Sequence, residues 1–202
     1  MKNMKKLIKV AVTLTVLLTG CGHKTMSPVE YIYYMEDAAN KARQSVKAGG
    51  LNYIIQLSPP EYMVSKELLT DESTYVNYTE RLNELKGNVF FQIQIGKERV
   101  GESMIEKKQE DTRAESRVMY YASSAANDIG LSVDGQLIAP VAYHFEDNYG
   151  LAPYNTILVG FKMPEKYEVI TLNFNDRYSN IPLIKASYTE QFIKNLPALS
   201  IK

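Results

Sequence analysis

The sequence predicts an α+β fold, with an antiparallel β-sheet or sandwich in the second half and helices concentrated in the first half. Three observations carry this. Apolar residues recur at spacings of three and four through residues 28–39 and 61–85, the period of an amphipathic helix. After residue 87, short alternating apolar runs recur, divided by Gly, Pro, Asn and Asp, the pattern of strands joined by tight turns. No internal repeat, low-complexity tract or long linker divides the chain, so residues 28–202 read as one globular domain.

Element by element, Ser27-Pro28-Val29-Glu30 offers a hydroxyl cap, a proline at the first helical position and a Glu three residues after the Ser. This predicts a helix over 28–39 with Tyr31, Tyr34, Met35 and Ala38 in one apolar stripe. Gly49-Gly50 then separates residues 43–48 from the alternating Leu51, Tyr53, Ile55 and Leu57, which predicts a hairpin. Pro59-Pro60 ends the second strand, because proline lacks the ladder donor. Residues 61–85 read as helical with a break at Thr70-Asp71-Glu72-Ser73, and Tyr75, Tyr78, Leu82 and Leu85 form a stripe ending at Gly87. Val89, Phe91, Ile93 and Ile95 alternate as a strand. Residues 97–112 are charged with little pattern, and 113–127 fit helix or strand alike. Strands over 129–133 and 136–145 flank an Asp134-Gly135 turn. Strands over 156–161, 169–174 and 181–187 follow, and Phe192, Ile193, Leu196 and Leu199 pack a last short segment inward.

The amino terminus carries the most specific signal. Lys2, Lys5, Lys6 and Lys9 precede the apolar run 10–18, which ends in Leu18-Thr19-Gly20-Cys21 with the only cysteine of the chain. A basic region, a short apolar stretch and small residues before a cleavage point make a secretory signal. The run is far shorter than the ~20 apolar residues that a spanning helix needs. Leu18-Thr19-Gly20-Cys21 resembles the lipobox of bacterial lipoproteins. That resemblance implies cleavage between Gly20 and Cys21, diacylglycerol on the Cys21 thiol and acylation of the new amino group, so palmitate-type chains hold the protein to a membrane. It divides the chain into a signal peptide over 1–20, a lipidated tether over 21–27 and the domain over 28–202. With Cys21 given to lipid, no disulfide is available. Tyr143-His144-Phe145-Glu146 through Tyr149-Gly150-Leu151 resembles uncharacterised envelope lipoproteins of the Bacteroidetes type. In that group, acidic residues soon after the lipidated Cys mark surface export. Gly22 to Ser27 has none, which implies the periplasmic face of an outer membrane.

Removing the four lysines of residues 1–20 from 23 basic residues leaves 19 against 23 acidic, a net charge of about −4. Such a chain has no electrostatic footprint for a phosphate backbone, so nucleic acid is not an expected partner. Of the two histidines, His23 lies beside the anchor and His144 stands alone, whereas catalytic zinc wants three protein ligands. No metal site or cofactor is expected. His144 with Glu146 or Asp147 has the chemistry of an acid–base pair, but the same residues suit a solvated strand end. No nucleophile elbow or phosphate-binding glycine loop occurs. No catalytic residue is assigned, and a non-enzymatic binding or scaffolding module is expected. Fifteen tyrosines and no tryptophan are the remaining unusual feature, since Tyr joins a rigid apolar body to a polar tip. Tyr143, His144, Glu146, Tyr149 and Tyr154 mark the candidate partner-binding loop, for an envelope protein or, alternatively, a carbohydrate or small ligand.

Overall fold

Punctuating residues set the first elements. In the computed structural model, which describes residues 24–71, 74–98, 112–149 and 151–201, helix α1 (Pro28–Glu36) opens on the predicted reciprocal cap. The Ser27 hydroxyl accepts from the Glu30 amide, and Glu30 Oε2 accepts from the Ser27 amide at 2.9 Å. The helix stops at Glu36, short of the expected 39, because Asp37 turns extended and its side chain caps a 3₁₀ turn over Ala38–Asn40. Strands β2 (Arg43–Ala48) and β3 (Leu51–Ser58) form the expected hairpin. Gly49 and Gly50 supply its φ values of 58° and 76°, which glycine takes at little steric cost. Pro59 follows β3, and Pro60 opens α2 (Pro60–Leu68). The break expected at 70–73 separates α2 from α3 (Thr74–Leu85).

The remaining strands are β4 (Asn88–Lys97), β5 (Ile129–Val133), β6 (Gln136–Ile138), β7 (Ala142–Glu146), β8 (Tyr154–Lys162), β9 (Val169–Asp176) and β10 (Ile181–Thr189). Residues 113–127, open between helix and strand, form α4 (Thr112–Ala122) and the start of a 3₁₀ turn over Ser124–Asp128. The chain ends in α5 (Glu190–Lys194) and β11 (Ala198–Leu199), which pairs in parallel with β1 (Thr25–Met26). That pairing draws Thr25 and Met26 into the fold, and Met26 is buried. Of the residues 21–27 expected as a tether, Thr25 and Met26 are strand and Ser27 is the helix cap.

Two antiparallel sheets pack face to face, a β-sandwich within an α+β fold. One has the order β2-β3-β4-β8-β7 and the other β10-β9-β5-β6. Period-two alternation fills the space between them. Tyr53, Ile55 and Leu57 of β3, Phe91, Ile93 and Ile95 of β4, and Ile157, Val159 and Phe161 of β8 face Leu131 of β5, Ile170, Leu172 and Phe174 of β9, and Ala186 and Tyr188 of β10. Rings interlock across the gap: Tyr53 meets Phe174 edge-on at 6.1 Å, and Phe91 meets Tyr188 at 6.0 Å. Phe90 points the other way from Phe91 and joins Val64 and Leu68 of α2 and Leu85 of α3 in a second cluster. Helices thus cover part of the outer face of the five-stranded sheet, and the side chain of Tyr75 lies outside the described residues.

One expectation fails instructively. Residues 136–145 are not one strand. The chain leaves the four-stranded sheet after Ile138 and enters the five-stranded sheet at Ala142. Pro140 lies between, where a continuing strand would need its missing N–H. On the opposite side the sheets are sewn together, with Gln44 Nε2 donating to the Ser187 carbonyl and Tyr188 Oη to the Ala42 carbonyl, both at 3.1 Å. The outermost strands β6 and β7 therefore lie on either side of the crossover.

Candidate functional site

The five residues of the candidate loop do not share one surface. Strand alternation on β7 turns His144 and Glu146 outward and Tyr143 and Phe145 toward the core. The Tyr143 hydroxyl donates to the Tyr121 carbonyl, and burial raises its pKa. Tyr143 is thus a packing residue that ties β7 to α4. Beyond the strand, Asp147 Oδ1 accepts from the Tyr149 amide at 2.9 Å and from Asn155 Nδ2 at 3.2 Å. This Asx turn puts Tyr149 at a φ of 54° and leaves its ring 71% exposed. Tyr154 opens β8 and is also exposed. His144, Glu146, Tyr149 and Tyr154 are the exposed members of the set. Gly20, Cys21 and His23 lie outside the described residues.

The structure brings together a polar centre that the sequence reading missed. Asp176, at the end of β9, is fully buried. Its Oδ2 accepts from Tyr53 Oη of β3 and Tyr121 Oη of α4, each at 2.6 Å, while Oδ1 accepts from the Ser179 amide at 3.0 Å. This acceptor-only pattern is that of a carboxylate. The Ser179 hydroxyl lies 3.2 Å from Tyr121 Oη. Burial first, then the Asp176 carboxylate, holds both tyrosines well above the usual phenol range. Beside this centre, Asp128 accepts from Tyr120 Oη at 2.9 Å and pairs with Arg177. Tyr178 stacks near Tyr120, ring centres 5.7 Å apart, with the Arg117 guanidinium 5.4 Å above its own ring. The centre holds β3, α4 and the β9–β10 turn together. A shared carboxylate oxygen with two short phenol donors is a clasp: each tyrosine hydroxyl is committed to Asp176. One signal was legible. Asp176 continues the inward parity of Ile170, Leu172 and Phe174, and an acid at an apolar position of a strand needs a partner.

Next to the clasp, a groove of about 670 Å³ runs along the β6–β7 crossover. Its base includes Gly130, Asn173 and Asn175, and Leu137, Val141 and Leu183 form apolar lips. The face is open, for Leu137 is 70% and Val141 64% exposed. Leu137 lies so close over Gly130 that a Cβ there would sit 2.8 Å from its Cδ1. With its amide turned to donate, Asn175 reaches the carbonyls of Ile181 and Pro182 at 3.2 Å and braces the bulge at the start of β10. Asp128 and Tyr143 belong both to the groove wall and to the network around Tyr120 and Tyr121. The arrangement suits contact with an extended apolar or amide-bearing surface.

Among the described residues, no group of three or more His, Cys, Asp or Glu could hold a metal ion, and no helix is long and apolar enough to cross a membrane. No family model matches the chain, and no curated protein is similar to it at a significant level. Among solved structures, a DUF4426 family protein from Pseudomonas aeruginosa aligns with a TM-score of 0.36 and 12% identity, over 74% of this chain and 93% of that one.

Proposed function

We propose that this chain is a lipid-anchored protein of the bacterial cell envelope, held at the periplasmic face of an outer membrane, whose sandwich is a non-enzymatic module that binds or scaffolds another envelope protein. The observation that carries the reading is the lone cysteine placed directly after Leu18-Thr19-Gly20, behind a basic and then an apolar run. Two or three acyl chains make a durable anchor where one alone binds marginally, each methylene contributing about 0.8 kcal/mol. The groove beside the outermost strands β6 and β7 supports a partner role, since contiguous exposed apolar lips mark contact surfaces. Crosslinking in intact cells with a photoreactive residue at Leu137, followed by isolation through a C-terminal tag, should give one reproducible envelope protein, lost in Val141→Asp. Recovery of the same proteins from a probe at Thr171 would count against the groove.

The exposure of Tyr149 and Tyr154 supports a second reading, a carbohydrate-binding lipoprotein. Glycan-array binding that survives Tyr149→Ala and Tyr154→Ala together would remove that loop from consideration.

A further inference from the structure

Helix α1 carries apolar side chains on both sides. Tyr31, Ile32 and Met35 face the core, while Val29 and Tyr33, one turn apart, stand on the outer face, 46% and 74% exposed. A surface helix ordinarily keeps its outer face polar. The other exposed residue of this face, Glu30, has its carboxylate turned back onto the Ser27 amide and hydroxyl at 2.9 and 2.8 Å. Single exposed apolar residues need no explanation; a pair at i, i+4 beside an anchor point is different. The tether decides what can cover it. From Cys21 to Lys24 is three Cα steps, at most about 11 Å when fully extended. From Lys24 onward the chain is fixed, the Ala198 amide donating to the Lys24 carbonyl and the Ser200 amide to the Met26 carbonyl at 3.0 and 2.8 Å. Helix α1 follows at once. A domain fastened this closely cannot stand clear of its membrane.

We propose that the outer face of α1, with Val29 and Tyr33, rests on the lipid headgroups and fixes the orientation of the sandwich on the bilayer. Tyr33 suits that depth, where an amphipathic ring places its body among the upper chains and its hydroxyl in the headgroup layer. The orientation leaves the partner groove to act at a set height. This inference rests on lipidation at Cys21, and its test separates the two. The lipidated full chain, carrying NBD on Tyr33→Cys or on Leu137→Cys, is reconstituted into phosphatidylethanolamine–phosphatidylglycerol vesicles containing lipid with a nitroxide on its headgroup. Vesicle flotation and palmitate incorporation are read on the same samples. The proposal expects flotation, with quenching at position 33 about threefold or more above that at 137, as for a probe within the ~5–10 Å interfacial layer. Flotation with equal quenching at both positions overturns the docked orientation and leaves the anchor standing. Absence of both palmitate and flotation overturns the anchor and the orientation with it.

Discussion

Tyr53 and Tyr121 donate to the same oxygen of Asp176, each at 2.6 Å, and all three residues are fully buried. That sharing makes a specific, non-additive prediction. Tyr53→Phe or Tyr121→Phe removes one charge-assisted hydrogen bond, worth about 1.5–3 kcal/mol, but leaves Oδ2 a remaining donor that tightens. Each single variant should therefore fall at the low end, about 1.5–2 kcal/mol. In the double variant Oδ2 is buried with neither phenol, and the desolvation penalty appears in full. The pair should cost more than the sum of the singles by about 1–2 kcal/mol. Asp176→Ala in the wild type orphans the Tyr53 phenol and the Ser179 amide and leaves Tyr121 Oη only the Ser179 hydroxyl, a loss of about 2–6 kcal/mol at ~1–3 kcal/mol per orphaned group. In the Tyr53→Phe/Tyr121→Phe background it should cost far less, because nothing is left to orphan but the amide. Urea unfolding followed by circular dichroism measures all five species. For a chain of this size each kcal/mol should also appear as about 2–4 °C in Tm. Strict additivity, or an Asp176→Ala cost that is unchanged by the background, would refute the shared-oxygen clasp.

Other perturbations follow from the same structure. Burial raises the pKa of the core tyrosines Tyr31, Tyr53, Tyr62, Tyr121 and Tyr188 above the usual value near 10. Their folded pKa values exceed the unfolded ones, so their contribution is complete below pH 10 and is lost as pH rises beyond it, about 1.4 kcal/mol per residue per pH unit. The full tyrosinate absorbance of all fifteen tyrosines should thus be reached only with loss of circular dichroism, and its completion in a still-folded protein would contradict the burial. Gly49→Ala should destabilise more than Gly50→Ala: both need positive φ, but only at Gly49 would the new Cβ meet a neighbour, the Cδ1 of Ile181. Equal midpoints in urea would show that Ile181 moves aside freely. His144→Ala, on the solvent face of β7, should leave stability within about 0.5 kcal/mol of wild type, as for an exposed position.

Much of the fold was readable because short-range physics sets it. The Ser27–Glu30 cap, the Gly49-Gly50 and Asp134-Gly135 turns and the alternation of Val89, Phe91, Ile93 and Ile95 are each decided within a few residues. Helix and strand could not be separated over 113–127, because Tyr120-Tyr121 suits either and the partner of Tyr121, Asp176, lies more than fifty positions away. The exchange of sheets at Pro140 hid for a related reason: the residues on both sides keep strand character, and only the identity of their neighbours changes. Tyr143 illustrates the limit at the site. Residue type alone marked it for contact, but parity on β7 sends its ring inward, while His144 and Glu146 go out.

The most direct test of the account is intact mass spectrometry of the protein extracted from its native membranes, with sequencing of its amino-terminal peptide. The account predicts a chain beginning at Cys21, heavier than its amino-acid mass by a diacylglyceryl group and usually an amide-linked acyl chain. A chain that begins elsewhere, or carries Cys21 as a free thiol, would contradict it.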